Sequence, residues 1–343
     1  MIHRRSFVNG AFVTMIGTKG HASTRAATKA PRQRPVIGHL TDGLATSDSQ
    51  AWFTEALKAF GHGDFAIETR QSESLSWRLP ALAAELVKLP VDVIWTTGLL
   101  AAQAAQQATR NIPIVMVGLD AVGAGIVTNL ARPGGNVTGV NLLIAEPVRK
   151  RLELIKELVP RASNVVALVP VDPDPVTTPV VKSWWDEVQR AAAALHLPAQ
   201  YASLNVRLYP FDDQYVRFAS RPGTVLVAME SPYFLKMADV LAVLALKHRL
   251  PAVYPYIEHV RAGGLCSYGV SLKYVTLRVA FYVARILRGA KAGDLPFETP
   301  DTYELSINMK SARALGLTLS PRLQQRADEL VSKAAGHPLV DAA

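Results

Sequence analysis

The sequence predicts an α/β protein whose parallel strands are covered by helices on both faces. Three observations predict it. Short apolar runs, such as residues 91–95 (VDVIW) and 114–117 (IVMV), alternate with longer segments of helical periodicity. The runs are near-continuously apolar, as strands buried on both faces are. Each ends in a polar loop, Thr96-Thr97-Gly98 and Gly118-Leu119-Asp120, where ligands bind in such sheets, just beyond the carboxyl ends of the strands. At 343 residues the chain exceeds one typical domain, so two α/β units are expected.

In chain order, residues 36–40 are the first strand. It ends in Thr41-Asp42-Gly43 and a loop rich in small hydroxyl residues. Residues 51–60 read as a helix that Asp48 or Ser49 is placed to cap. Residues 66–69 are a second strand. Leu82, Leu86 and Leu89 give residues 80–89 a helical apolar face, which Pro90 ends. Strand 91–95, the alanine-rich helix 99–109 and strand 114–117 follow. The Pro133-Gly134-Gly135-Asn136 turn then leads into strand 137–140. Helix 145–158 has Val148, Leu152 and Ile155 on one face.

A second series begins at strand 165–169. It continues through helix 180–195, strand 200–204, a helical piece at 212–219, strand 225–229, helix 234–248 and strand 252–254. Residues 265–268 read as a further strand and 272–288 as a long helix. The remainder reads as strand 303–307, a short helix at 311–315 and a terminal helix from 321 to 333. The halves share an architecture by pattern. This alternation makes a doubly wound α/β fold.

Charge placement argues against nucleic acid. Of the formal +9, residues 1–34 carry +7 with no acid, leaving +2 for the rest, whose basic residues are scattered. Arg4-Arg5-Ser6-Phe7, the weakly apolar residues 8–16 and the small residues of Gly20-His21-Ala22 read as an export signal of twin-arginine flavour. The alternative is a disordered basic leader, because Asn9, Gly10 and Thr14 interrupt the apolar stretch. No segment approaches the ~20 apolar residues of a membrane span. The single cysteine, Cys266, excludes an internal disulfide framework and reads as a small buried hydrophobe.

Enzyme signatures are absent. There is no phosphate-binding P-loop, no G-x-G-x-x-G after the first strand, no G-x-S-x-G elbow and no H-E-x-x-H. Gly123-Ala124-Gly125 is a partial match at the wrong strand. Glu258-His259 is a lone pair that reads as a surface feature. No cofactor or metal site is expected.

Strand-end loops suited to binding remain. Thr96, Thr97 and Gly98 precede a helix whose free N–H groups can hold a carboxylate, or a threonine there simply caps the helix. Asp120 can pair with a ligand ammonium or cap the turn that follows. Trp52, Trp77, Tyr233, Tyr256 and Tyr268 could line a pocket, although each taken singly reads as packing. One of Trp184-Trp185 reads as core.

The chain as a whole resembles a known family. The resemblance runs from about 35 to 333 and is carried by LAAELV (82–87) with VDVI (91–94), ATRNIPIV (108–115), VGAG (122–125), LARPGGNVTG (130–139), RLPAVYP (249–255), AGGL (262–265) with SYG (267–269), and ALGL (314–317). It is similar to the extracytoplasmic substrate-binding proteins of ABC transporters, in the group with tryptophan- and tyrosine-binding members, of type I periplasmic-binding-protein fold.

The resemblance implies two Rossmann-like lobes with parallel sheets and a ligand between them. Lobe one would be 35–140 plus 268–298, and lobe two 141–267 plus 299–333. The 1–34 leader and the 334–343 tail would lie outside both. It further implies that Thr96, Thr97 and Asp120 grip the charges of an amino-acid-like ligand, with Asp172, Tyr233 and Tyr256 from lobe two. Asp42, Gly98 and Tyr268 complete the candidate set.

Members commonly carry Ser-Asp-Pro where this chain has Leu119-Asp120-Ala121, an asparagine near Pro170 and a methionine at Cys266. The expectation is a periplasmic, monomeric solute receptor. It would bind a small amino-acid-like ligand, with an aromatic side chain suggested by the resemblance, and serve a membrane ABC permease. The alternative is a ligand-sensing module of the same fold acting through a signalling partner.

Overall fold

The structure is a computed structural model that describes residues 34–43, 47–73, 75–171, 178–205 and 211–332. The first sheet contains β1 (Val36–Thr41), β2 (Ala66–Gln71), β3 (Val93–Thr97), β4 (Ile114–Leu119) and β5 (Val137–Leu142). Their order is β2-β1-β3-β4-β5, all parallel. Helices α1 (Ser47–Ala59), α2 (Leu79–Lys88) and α3 (Leu99–Ala108) connect the first four strands.

The second series runs through α4 (Ala145–Leu158), β6 (Asn164–Val171), α5 (Thr178–Ala194), β7 (Ala199–Asn205), α6 (Asp212–Ala219) and β8 (Thr224–Ala228). It goes on through α7 (Pro232–Lys236), α8 (Ala238–Lys247), β9 (Ala252–Tyr254), α9 (Ile257–Arg261) and β10 (Cys266–Gly269). The remainder is α10 (Leu272–Leu287), β11 (Glu304–Asn308), α11 (Met309–Ala314), α12 (Pro321–Arg326) and β12 (Glu329–Val331). The second sheet has the order β12-β11-β10-β9-β8-β6-β7, with β11 antiparallel to β10. Its stretch β7-β6-β8-β9-β10 repeats the order of the first sheet. In each sheet the order reverses beside the starting strand, between β1 and β3 and between β6 and β8. Such a reversal leaves a crevice at the carboxyl edge.

Apolar faces decide where the helices go. Phe53 and Leu57 of α1 pack with Val279 and Val283 of α10 against Ile37, Val93 and Val115 of the first sheet. Leu86 of α2 and Ala101 and Ala105 of α3 cover the other face, against Leu40, Ile94 and Met116. The alanines let α3 lie close to its strands. In lobe two, built on the second sheet, α4 and α5 bury Leu152, Ile155, Trp184 and Val188 on one face. Tyr215 of α6 and Leu241 of α8 are buried on the other.

Helix α10 follows β10 of the second sheet yet packs on the first, so Tyr268 and Gly269 still belong to lobe two's sheet. Residues 295–298 then run beside β5. The Glu298 N–H donates to the Gly139 carbonyl at 2.9 Å, and the Asn141 N–H donates to the Glu298 carbonyl at 2.8 Å. The chain thus passes between lobes after β5, after β10 and after Glu298. The Tyr274 hydroxyl and Arg278 Nε both donate to the Glu298 carboxylate at 2.6 Å, fastening the start of α10 to the third passage.

Three expectations are corrected. Helix 234–248 is two helices, because Pro232 with the Ser231 cap starts α7 early and Met237 (φ −103°, ψ 22°) leaves helical geometry. The terminal helix stops at Arg326. The Asp328 N–H donates to the Leu305 carbonyl at 2.8 Å, and Asp328 Oδ2 accepts the Leu305 N–H at 2.7 Å. Residues 329–331 then pair with the open edge of β11 as β12, satisfying backbone groups that the edge would expose. Finally, His259 is fully buried, not a surface residue, and stacks on Tyr254 with centroids 4.8 Å apart. Cys266 is buried, and burial pushes its thiol pKa up. The expected export leader, but for Arg34, and the 334–343 tail lie outside the described residues. Among the described residues no helix is long and apolar enough to cross a membrane.

Candidate ligand-binding site

Residues beyond the carboxyl ends of both sheets line one cavity of about 350 Å³, within the range of small-molecule sites. Both switch points open onto it. Lobe one supplies Thr41 and Asp42 after β1 and Thr97 to Leu100 at the β3–α3 junction. Lobe two supplies Pro170 from β6 and Met229 to Tyr233 after β8. Leu119, Leu142, Val180, Val181, Leu235, Leu272 and Val275 make much of the remaining wall apolar.

The start of α3 is the polar feature of lobe one. Gly98 is its N-cap, at φ +100°, a conformation that glycine reaches without strain, and no side chain caps the helix. Leu99 and Leu100, whose N–H groups begin the helix, line the cavity. Of the other helices whose N-cap or first residue lines this cavity, α7 and α10 are capped and α9, with Tyr256 as its N-cap, is not. Ser231 accepts the Tyr233 N–H for α7, and Ser271 accepts the Tyr274 N–H for α10. The uncapped α3 start presents donors and the positive end of a helix dipole. Asp42 lies beside it, since a Cβ built on Gly98 would be 3.3 Å from Asp42 Cβ. Asp42 is buried, and the Ser72 hydroxyl donates to its Oδ1 at 3.1 Å and its carbonyl at 2.9 Å.

Lobe two carries a buried ion pair in the cavity wall. Glu230 is 8% exposed and Arg151 is 1% exposed. Arg151 Nη2 donates to Glu230 Oε1 at 2.5 Å and Arg151 Nε to the Tyr268 carbonyl at 2.7 Å. Trp184 Nε1 donates to Glu230 Oε2 at 3.2 Å. Arg151 therefore ties α4, the β8 loop and β10 together behind the cavity. Burial, reinforced by Glu230, pushes the Tyr256 hydroxyl pKa well up, so this wall residue stays neutral.

The sequence-derived candidates divide. Asp42, Thr97, Gly98, Tyr233 and Tyr256 line the cavity together. Thr96 does not; it is fully buried within β3, on the face opposite Trp95 and Thr97. Asp120 is also outside the lining. It sits at φ +47° and its Oδ1 accepts the Gly123 N–H at 2.9 Å, which is the turn-capping alternative. Tyr268 is outside the lining too, half-buried and stacked on Tyr303 with centroids 5.6 Å apart. Asp172 lies outside the described residues. Of the tryptophan pair, Trp184 is fully buried.

The sequence reading does not single out Glu230, Arg151 or Lys236, although signals exist for the first two. Glu230 follows an apolar strand as Asp120 does, and Arg151 interrupts the apolar stripe of Val148, Leu152 and Ile155. Among the described residues no group of three His, Cys, Asp or Glu side chains could hold a metal ion.

A family model described as ABC transporter substrate binding protein matches residues 42–331. A tyrosine-binding protein of Clostridioides difficile (strain R20291) is 25% identical over 302 residues, which is 84% of this chain and 83% of that protein. The L-Trp complex of an ABC domain from Streptococcus pneumoniae has a TM-score of 0.75 at 21% identity, covering 87% of this chain and 100% of that one. A conserved domain protein of Vibrio cholerae has a TM-score of 0.78 at 24% identity with the same coverage. These likenesses support a two-lobed α/β fold of the type I periplasmic-binding-protein class.

Proposed function

The chain belongs to the ABC transporter substrate-binding protein family, and from that premise we propose that it is the periplasmic receptor of an ABC importer for a small amino-acid-like ligand. Proteins of this family are solute binders, not enzymes. The observation that carries the ligand class is the uncapped α3 start beside the buried Asp42. The helix start suits a carboxylate, and Asp42 suits an ammonium group. Wall charge agrees. The lining carries side chains of both signs, Asp42 and Glu230 with Lys236, and Arg151 behind the wall pairs with Glu230. A zwitterion of zero net charge fits such a wall, and the apolar remainder suits an apolar side chain. The relatives include a tyrosine-binding protein and an L-Trp complex, so aromatic amino acids are the first ligands to test.

In this reading the protein acts as a monomer, exported by the leader within residues 1–34. The two lobes, built on the first and second sheets, close by bending at the three crossovers. Ligand favours closure only by binding the closed form better than the open one. The closed pair of lobe surfaces is what the permease reads. Thermal-shift screening of the twenty amino acids on purified protein tests this, with mass spectrometry of any ligand carried through native purification. At least one L-amino acid is expected to raise the melting temperature. If none does and none co-purifies, the amino-acid reading fails.

A further inference from the structure

Lobe two meets lobe one at the cavity through α7. Pro232, its first residue, sits against two glycines of lobe one. A Cβ built on Gly43 would lie 2.8 Å from Pro232 Cβ, and one built on Gly98 would lie 3.6 Å from Pro232 Cγ. Gly98 is also the residue from which α3 starts. Helix positions four apart share a face. Lys236 therefore stands one turn along α7 from Pro232, on the same side of that helix. It lines the cavity beside the half-buried Leu235 and is itself exposed to solvent. Among the described residues Lys236 has no carboxylate partner. Glu230, its acidic neighbour in the same wall, is engaged by Arg151 and Trp184.

We infer that Lys236 is the lobe-two contact for the ligand's carboxylate, and that it makes the site selective for free carboxylates. The inference rests on the reading of the cavity as an amino-acid site. The carboxylate sits on the α3 start, and Lys236 reaches it from the opposite lobe when Pro232 is seated between Gly43 and Gly98. One anionic group then bonds to both lobes, so its charge favours the closed form. An amide or ester keeps the rest of the ligand but lacks that charge. Free amino acids are thereby distinguished from carboxyl-blocked forms, including peptides entering by their amino end.

Calorimetric titration of the full chain with L-tryptophan and L-tryptophanamide tests this, using wild type, Lys236→Met and Lys236→Arg. Methionine keeps most of the aliphatic stem, and melting curves report the fold. Lys236→Met is expected to weaken tryptophan binding about tenfold or more, the scale of one charged hydrogen bond, while tryptophanamide binding changes by less than about twofold. Lys236→Arg is expected to restore most of the tryptophan affinity. Equal weakening for both probes, or none for tryptophan, overturns the role of Lys236 and leaves the amino-acid reading standing. Wild type that binds neither probe overturns the inference for an aromatic ligand, and the screen of all twenty amino acids then decides the amino-acid reading.

Discussion

Asp42 and Glu230 are both buried acids in the cavity wall, but their surroundings assign them different work. The Ser72 hydroxyl donates to Asp42. Asp42→Asn keeps an oxygen for Ser72 and removes the charge. L-tryptophan affinity in calorimetry is expected to fall by about 10- to 100-fold, the range of a charge-assisted hydrogen bond. Indole-3-propionate, which has the carboxylate but no ammonium, is expected to bind no worse. Glu230 is instead held by Arg151. Arg151→Met strands a buried carboxylate, which costs about 3–5 kcal/mol. A clear drop in melting temperature is expected, partly recovered in Arg151→Met/Glu230→Gln, where no charge is stranded. Half of this site was legible in the sequence. Asp42, Thr97 and Gly98 show themselves as polar residues ending apolar strands. Thr96 and Asp120 obey the same rule but point elsewhere, because strand alternation and a turn's own hydrogen bonding decide side-chain direction and neither is marked in composition. Lys236 carried no sequence signal, since its place depends on how two lobes meet.

Strand β1, strand β3 and helix α1 are joined by a stack of rings. His39 lies on Trp95 with centroids 3.9 Å apart, and Trp95 lies on Phe53 at 4.7 Å. His39 is fully buried, and burial lowers its pKa to about 3. An unfolded histidine titrates near 6.5. The folded pKa is depressed, so the unfolded chain binds more protons between about pH 6.5 and 3. The stability held by neutral His39 is complete above that window and is lost as pH falls through it. His259, lowered to about 4 chiefly by burial, adds a second group with the same sign. Urea unfolding from pH 6.5 to 4 is expected to show stability falling with acid. His39→Phe is expected to lower that slope by up to about 1.4 kcal/mol per pH unit, the contribution of one proton. The elements themselves were largely legible. Runs such as VIWTT and TVLVA are too short and too apolar to be anything but buried strands. The exceptions were decided at longer range. Residues 329–331 are a strand because β11 offers an open edge, and the helical pattern before them has no record of that edge. The break at Met237 separates a short helix serving the cavity from a longer one serving the core.

Two sheets with the same strand order, linked three times, face their switch points at one cavity, where lobe two touches lobe one. Pro232 of lobe two enters a notch made by Gly43 and Gly98. Repeated architecture was visible in the sequence as two αβ series, but this notch was not, because it joins residues far apart in the chain. It carries a prediction about closure. Gly98 has a positive φ, so substitution there would also strain the backbone. Gly43 does not, so Gly43→Val tests space alone. With a Cβ only 2.8 Å from that of Pro232, the lobes must part before valine fits. Asp42 and the start of α3 remain in place, so first contact with ligand survives. What falls is the closed population, and apparent affinity falls with it in proportion. In small-angle scattering, wild type is expected to become more compact on adding saturating L-tryptophan, while Gly43→Val stays extended and binds more weakly by calorimetry. The melting temperature without ligand should hardly move, because the substitution removes no core packing and adds no backbone strain. A Gly43→Val protein that compacts as wild type does would show that closure is set elsewhere than at this notch.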